Sequence, residues 1–108
     1  MSITRYPSAS RVIEMNLMTL NGRSPTNPDY FIFNTIVHFM VYVTKGEGIF
    51  YVDDAVIKAS VGDVLDVPPK TRFAASGQEL EYVTVESPAF FTEQSYIVDS
   101  KGRVVGNN

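Results

Sequence analysis

Apolar and polar residues alternate with a period of two along much of this chain, and glycine, proline, asparagine and aspartate interrupt the alternation at short intervals. A period of two is the mark of a strand, because successive side chains leave a pleated backbone on opposite sides. Arg11 to Leu20 alternates apolar residues at Ile13, Met15 and Leu17, which suits a strand. A short helix also fits there, since Met and Leu are good helix formers, but the β-rich surroundings favour the strand. Asn21 to Asp29 reads as a loop, with Asn-Gly and two prolines. Tyr30 to Val43 is rich in aromatic and β-branched residues and predicts two strands or one bent strand, with Asn34-Thr35 as the break. Lys45-Gly46-Glu47-Gly48 predicts a tight turn. Short strands follow at Ile49–Val52, Ala55–Ala59 and Val64–Val67, separated by turns at Asp53-Asp54 and Val61-Gly62-Asp63, and Pro68-Pro69 stops the last of them. Phe73–Ala75 and Leu80–Val85 are further strands on either side of an expected turn at Ser76-Gly77, and a final strand lies around Tyr96–Val98. Turn signals at roughly eight- to twelve-residue spacing, with no sustained 3.6-residue period, predict an all-β sandwich or barrel.

Length and composition narrow the picture. A chain of 108 residues fits one domain, read as an N-terminal arm over residues 1–10, a barrel over 11–98 and a tail over 99–108. The absence of cysteine excludes disulfides, thiolate metal sites and cysteine nucleophiles. A net charge of −3 with singly scattered lysines argues against a nucleic-acid groove. The longest apolar stretch, Ile36 to Val43, is interrupted by His38 and falls well short of the about 20 residues a membrane helix needs. The first residues lack the apolar run of a signal peptide. The expectation is a soluble, cytoplasmic protein without nucleic-acid or membrane partners.

Two segments carry a family resemblance. "VYVTKGEGIFYVDD" has a strand, a glycine turn at Gly46 and a returning strand, and "GDVLDVPPKTRF" places Gly62 and Pro68 at a fixed separation. Together, in this order, they resemble the two motifs of the cupin superfamily over about residues 11 to 98. The resemblance implies a single antiparallel jelly-roll barrel (a double-stranded β-helix) of six to eight strands. It also implies homodimers, often formed through an edge strand. The family's metal ligands do not carry over. Phe39 stands at the glutamate position, and the first two histidine positions fall on Ile32 and Asn34, or on Phe33 and Thr35 with a spacer one residue shorter. In the second motif Lys70 replaces glycine, Phe73 replaces histidine and Gly77 replaces asparagine. No register supplies the three or four N/O ligands a transition metal needs, so the chain is read as metal-free and without a cofactor.

The candidate site residues are Asn34, His38, Phe39, Asp66, Phe73 and Tyr82. His38, the only histidine, is a candidate acid or base. It sits one position off the parity of Phe39, Val41 and Val43, which places it on the outer face unless a bulge intervenes. Phe39 and Phe73 either line an apolar pocket or close the core. Asp66 is a general base if it points inward and a solvated strand residue if it points outward. Among Tyr42, Tyr51 and Tyr82, Tyr82 is preferred as a hydrogen-bonding residue because of its place beside Leu80. Lys70 and Arg72 are either an anion-binding pair at the rim or exposed charges. Glu79 and Glu81 share one face of their strand and Glu86 takes the other, with no paired acid/base site indicated. Ile36 to Val43 is apolar on both faces, so one face can fill the barrel while a second subunit covers the other. Three functions fit. The first is a metal-free small-molecule-binding protein. The second is a metal-independent isomerase or epimerase using His38 or Asp66. The third is a metal protein with unusual ligands from His38, Asn34, Glu81 or Asp66.

Overall fold

The computed structural model describes residues 1–108. In chain order the strands are β1 (Ser2–Pro7), β2 (Glu14–Ser24), β3 (Tyr30–Asn34), β4 (His38–Lys45), β5 (Glu47–Val52), β6 (Ala55–Ser60), β7 (Val64–Val67), β8 (Arg72–Ser87), β9 (Ser95–Asp99) and β10 (Val104–Asn107). A 3-10 turn, Thr92–Gln94, precedes β9. All pairings are antiparallel, and the ten strands form one curled sheet, the jelly-roll barrel expected from the sequence. No helix is long and apolar enough to cross a membrane.

β8 organises the barrel because it is long enough to serve four partners. On one edge it pairs with β2 from Ala75 to Glu86 and with β3 at Arg72 and Phe73, and on the other with β5 from Phe73 to Gly77 and with β4 from Glu81 to Ser87. Ser76-Gly77, expected as a turn, lies inside this continuous strand. The glycine answers a different need: a Cβ at Gly77 would stand 3.0 Å from the Glu47 carbonyl oxygen, so its absence lets β5 approach. A bulge rather than a turn falls two residues later. There Glu79 adopts a positive φ of 50°, its N–H is held by Asn21 Oδ1 at 2.6 Å, and the β2 register shifts between Leu20 and Gly22. Gly46 does not make the tight turn expected of it: β4 and β5 both run antiparallel to β8 in the same direction, so the chain passes through Gly46 as a bulge, with φ of 77° and no room for a Cβ, which would be 2.9 Å from the Glu79 carbonyl oxygen.

Residues 1–10, read as an arm, contribute β1, which pairs with β2 from Ser2 to Pro7. The tail contributes β10 on β9. Together they raise the strand number above the expected six to eight. Side chains alternate as the pleat requires. In β4, Phe39, Val41 and Val43 are buried while His38, Met40 and Tyr42 are exposed. One apolar core joins Leu20, Val41, Val43, Phe50, Leu65, Val67 and Leu80 with an aromatic cluster above it. In that cluster Phe39 meets Phe73 edge-on at 5.0 Å and Phe50 meets Tyr82 edge-on at 5.5 Å, the arrangement ring quadrupoles favour.

Candidate functional site

The facing ladder of β2 and β8 changes character along its length. From the core outward the inward-facing register pairs are Leu20 with Leu80, Met18 with Tyr82, Asn16 with Thr84 and Glu14 with Glu86. Apolar pairs thus give way to polar and then acidic ones on a single buried face. A cavity of about 280 Å³ lies over this gradient. Its apolar walls include Met18, Ile32, Phe39, Phe73 and Phe90, and its polar groups include Asn16, Asn34, Tyr82, Thr84 and Glu86. Mostly apolar walls with a few placed polar groups are what small-molecule sites present.

Glu86 is the centre of the polar end. It is 7% exposed. Its Oε2 accepts hydrogen bonds from Asn16 Nδ2 and, at 3.3 Å, from Thr84 Oγ1, while Oε1 has no protein partner. Burial pushes this carboxyl above the usual carboxylate range. The Asn16 bond opposes the shift, the Glu14 charge reinforces it, and Thr84 and Arg5 oppose it. Glu14 is itself buried and forms an ion pair with Arg5 of β1 at 3.3 Å, and the Arg5 guanidinium lies 5.3 Å from the centre of the Phe90 ring. Tyr82 lies nearby with its hydroxyl free of protein partners, and burial followed by the Glu86 charge pushes that hydroxyl above its ordinary range. A carboxyl that keeps its proton beyond the normal range, beside a neutral phenol, can donate hydrogen bonds or a proton to a bound oxygen. Asn16 Oδ1 is the one buried side-chain oxygen or nitrogen without a hydrogen-bond partner.

Four of the six candidate residues, Asn34, Phe39, Phe73 and Tyr82, line this cavity. His38 and Asp66 do not. They lie on the outer face, where His38 Nε2 donates to Asp66 Oδ1 at 2.6 Å, and both side chains are about half exposed. The inward alternative for both is corrected by the unbroken parity of β4 and its register with β7, in which Phe39 pairs with Val67 and Met40 with Asp66. An isomerase built on either residue in the barrel loses its acid and base. The metal alternative fails on the same geometry. Glu81 also turns from the cavity, accepting a hydrogen bond from Thr44 Oγ1 at 3.0 Å, so the four proposed ligands do not converge. No three His, Cys, Asp or Glu residues form a metal-binding group, and two of the positions counted as ligand sites carry the Phe39 and Phe73 rings. Arg72 is committed to Asp54 at 2.9 Å and to the Ser100 carbonyl at 2.7 Å, which is structural use of that rim charge.

Sequence reasoning passed over Asn16, Thr84 and Glu86, and with them Glu14 and Arg5. The signal available was parity, since Leu80, Tyr82, Thr84 and Glu86 are even-numbered residues of one strand and share its buried face. Two carboxyls do meet on the buried face, but they come from different strands, Glu86 from β8 and Glu14 from β2.

No family model and no curated protein matches the chain by sequence. Solved structures do match by fold. Streptomyces Pac13, a nucleoside dehydratase known in complexes with uridine, is 25% identical over 90% of this chain and 76% of its own, with a TM-score of 0.78. KdgF from Halomonas sp. is 15% identical over 82% of both chains, with a TM-score of 0.65. An RmlC-like cupin from Shewanella frigidimarina is 20% identical over 73% of this chain and 68% of its own, with a TM-score of 0.62.

Proposed function

We propose that this small chain of cupin fold binds an uncharged ring compound of about nucleoside size in its barrel cavity and presents Glu86 to it as a proton donor. The observation that carries the proposal is the buried Glu86 carboxyl, raised above its ordinary range and held by one oxygen so that the other is free. Aromatic walls suit a flat ring, and neutral hydrogen-bonding groups suit hydroxyl and carbonyl oxygens. Arg5, the one cationic side chain on the lining, is already engaged by Glu14, which disfavours an anionic ligand. The likeness to Pac13 supports a nucleoside-like ligand, and it supports acid–base chemistry such as loss of a hydroxyl as water. In that chemistry Glu86 delivers its proton to the departing oxygen as the C–O bond breaks, and the carboxylate left behind, stabilised by its Asn16 and Thr84 bonds, takes up the proton of the neighbouring carbon as the C=C bond forms, which restores the acid. A binding role without turnover uses the same contacts.

Calorimetric titration with uridine and a panel of uncharged nucleosides tests the binding. Uridine is expected to bind, and Glu86→Leu to weaken it by roughly tenfold to a hundredfold, the effect of deleting one buried hydrogen-bonding group. Proton NMR of the incubated mixture separates turnover from binding. Dissociation constants weaker than about 1 mM for the whole panel would sink the proposal.

A further inference from the structure

The bend between β3 and β4 leaves the backbone N–H groups of Ile36 and Val37 outside the sheet ladders. Both donate to one atom, Gln94 Oε1, at 3.0 and 3.1 Å. Gln94 is 2% exposed and sits at the end of the 3-10 turn. This contact fixes the orientation of two amides in succession. Backbone N–H groups only donate, so the Gln94 atom they meet is the oxygen, and Nε2 faces the other way. Nε2 also only donates, and it does so to Asn34 Oδ1 at 2.9 Å. Asn34 is therefore held with Oδ1 toward Gln94 and Nδ2 turned away. Asn34 lines the cavity, and its Nδ2 has no protein acceptor yet is not among the sealed, unpartnered atoms. The cavity is the open volume that Asn34 lines, on the side left to Nδ2 once Oδ1 is turned to Gln94.

From this relay we infer that Asn34 is a fixed hydrogen-bond donor that recognises a carbonyl oxygen on the ligand ring, and that Gln94 is the positioning residue that sets this specificity. The inference rests on the ligand site proposed above and adds which polarity of ligand it accepts. The Asn34 amide cannot rotate to suit a donor without placing its own N–H groups against those of Gln94. The site accordingly rejects a ring that carries an amino group where the carbonyl should be.

The probes are uridine and cytidine, which share one ring carbonyl and differ along one edge, where uridine has a second carbonyl beside a ring N–H and cytidine has an amino group beside an acceptor nitrogen. The wild-type chain is expected to prefer uridine by roughly tenfold to a hundredfold, since the mismatch leaves a buried donor unpaired. Gln94→Glu keeps an oxygen for Ile36 and Val37 and offers a second oxygen to Asn34, so the Asn34 amide turns over and presents Oδ1 to the cavity. The preference is then expected to reverse toward cytidine. Asn34→Asp reaches the same end from the other partner, with one carboxylate oxygen on Gln94 Nε2 and the other in the cavity. Either variant suffices if the other fails to fold. Retention of the uridine preference in a folded variant, or an equal loss for both nucleosides, overturns the inference. If the wild-type chain binds neither nucleoside, the functional proposal fails separately, and ligand-free NMR decides the relay. Nuclear Overhauser contacts from the Asn34 amide protons to cavity-lining side chains, lost in Gln94→Glu, sustain it, and their absence in the wild type overturns it.

Discussion

Replacing Asn16 with Leu should change the stability of this protein by an amount that depends on pH, less favourably at the alkaline end than at the acidic end. Asn16 is fully buried, gives one hydrogen bond to Glu86 and leaves Oδ1 unpartnered. Under acidic conditions Glu86 is neutral in both the folded and unfolded chain. The substitution then removes a neutral hydrogen bond worth about 1 kcal/mol and relieves an unpaired buried oxygen costing about 1–3 kcal/mol. The variant should match or exceed the wild type there, by up to about 2 kcal/mol, and the neighbouring cavity gives the larger side chain room. Because the folded state raises the Glu86 carboxyl above its unfolded value, the native chain keeps a proton that the unfolded chain has lost. Stability therefore falls as pH rises from the ordinary glutamate range through the raised one. The Asn16 bond opposes that shift, so without it the fall continues to higher pH. Above the raised range the lost bond is one to a carboxylate, worth about 1.5–3 kcal/mol. The difference between variant and wild type should swing against the variant by about 1 kcal/mol across the range, or about 4–8 °C in melting temperature for a chain of this size. Urea midpoints at about pH 4 and about pH 9 measure it. A difference that does not vary with pH, or a loss above about 2 kcal/mol at the acidic end, would refute the assignment of Glu86 and its partner.

Two further outcomes follow from the same site. Phe73→Ala removes a ring in edge contact with Phe39 and packed 6.2 Å from Phe50, and should cost about 3–5 kcal/mol in denaturant unfolding; a loss below about 1 kcal/mol would mean the ring only flanks the cavity. Dialysis against a chelator should leave the melting temperature unchanged, with plasma mass spectrometry finding transition metal well below one atom per chain. Stoichiometric metal would contradict the reading of the Phe39 and Phe73 positions.

What the sequence made legible was local. The turn at Asp53-Asp54, the break after Asn34 and the stop at Pro68-Pro69 each depend on the conformational limits of one or two residues, and each lies between strands in the structure. The edge strands β1 and β10 were not legible, because Ser2–Pro7 is exposed throughout and β10 is nearly so, which leaves no alternation to read. Gln94 was invisible for a different reason. Its three side-chain hydrogen bonds reach across 57 to 60 residues, and nothing near it in the chain announces partners at that distance.

The instructive failure is β2. Of the alternating Ile13, Met15 and Leu17 that suggested a strand, Ile13 precedes it and Met15 and Leu17 belong to its outer side, while Glu14 and Asn16 point inward. Apolar alternation thus identified the element but not the face that holds the site. The outer side is nonetheless continuous across strands. Met15, Val85 and Met40 stand in register on β2, β8 and β4, and Leu17, Val83, Tyr42 and Val64 do so from β2 to β7. Met15, Met40 and Tyr42 are each nearly half exposed. Monomers seldom leave a contiguous apolar patch above a few hundred Å² uncovered. We propose a second copy of the chain as its cover. The face is a regular sheet surface, and the His38–Asp66 pair at its edge supplies an acid and a base that a two-fold partner can reciprocate. Sedimentation at about 100 μM should report a dimer for the wild type and a folded monomer for Met40→Glu, which places a charge in the middle of the patch. A wild-type monomer at that concentration would show that the outer face tolerates water as it stands. The apolar run from Ile36 to Val43 would then be no evidence of association.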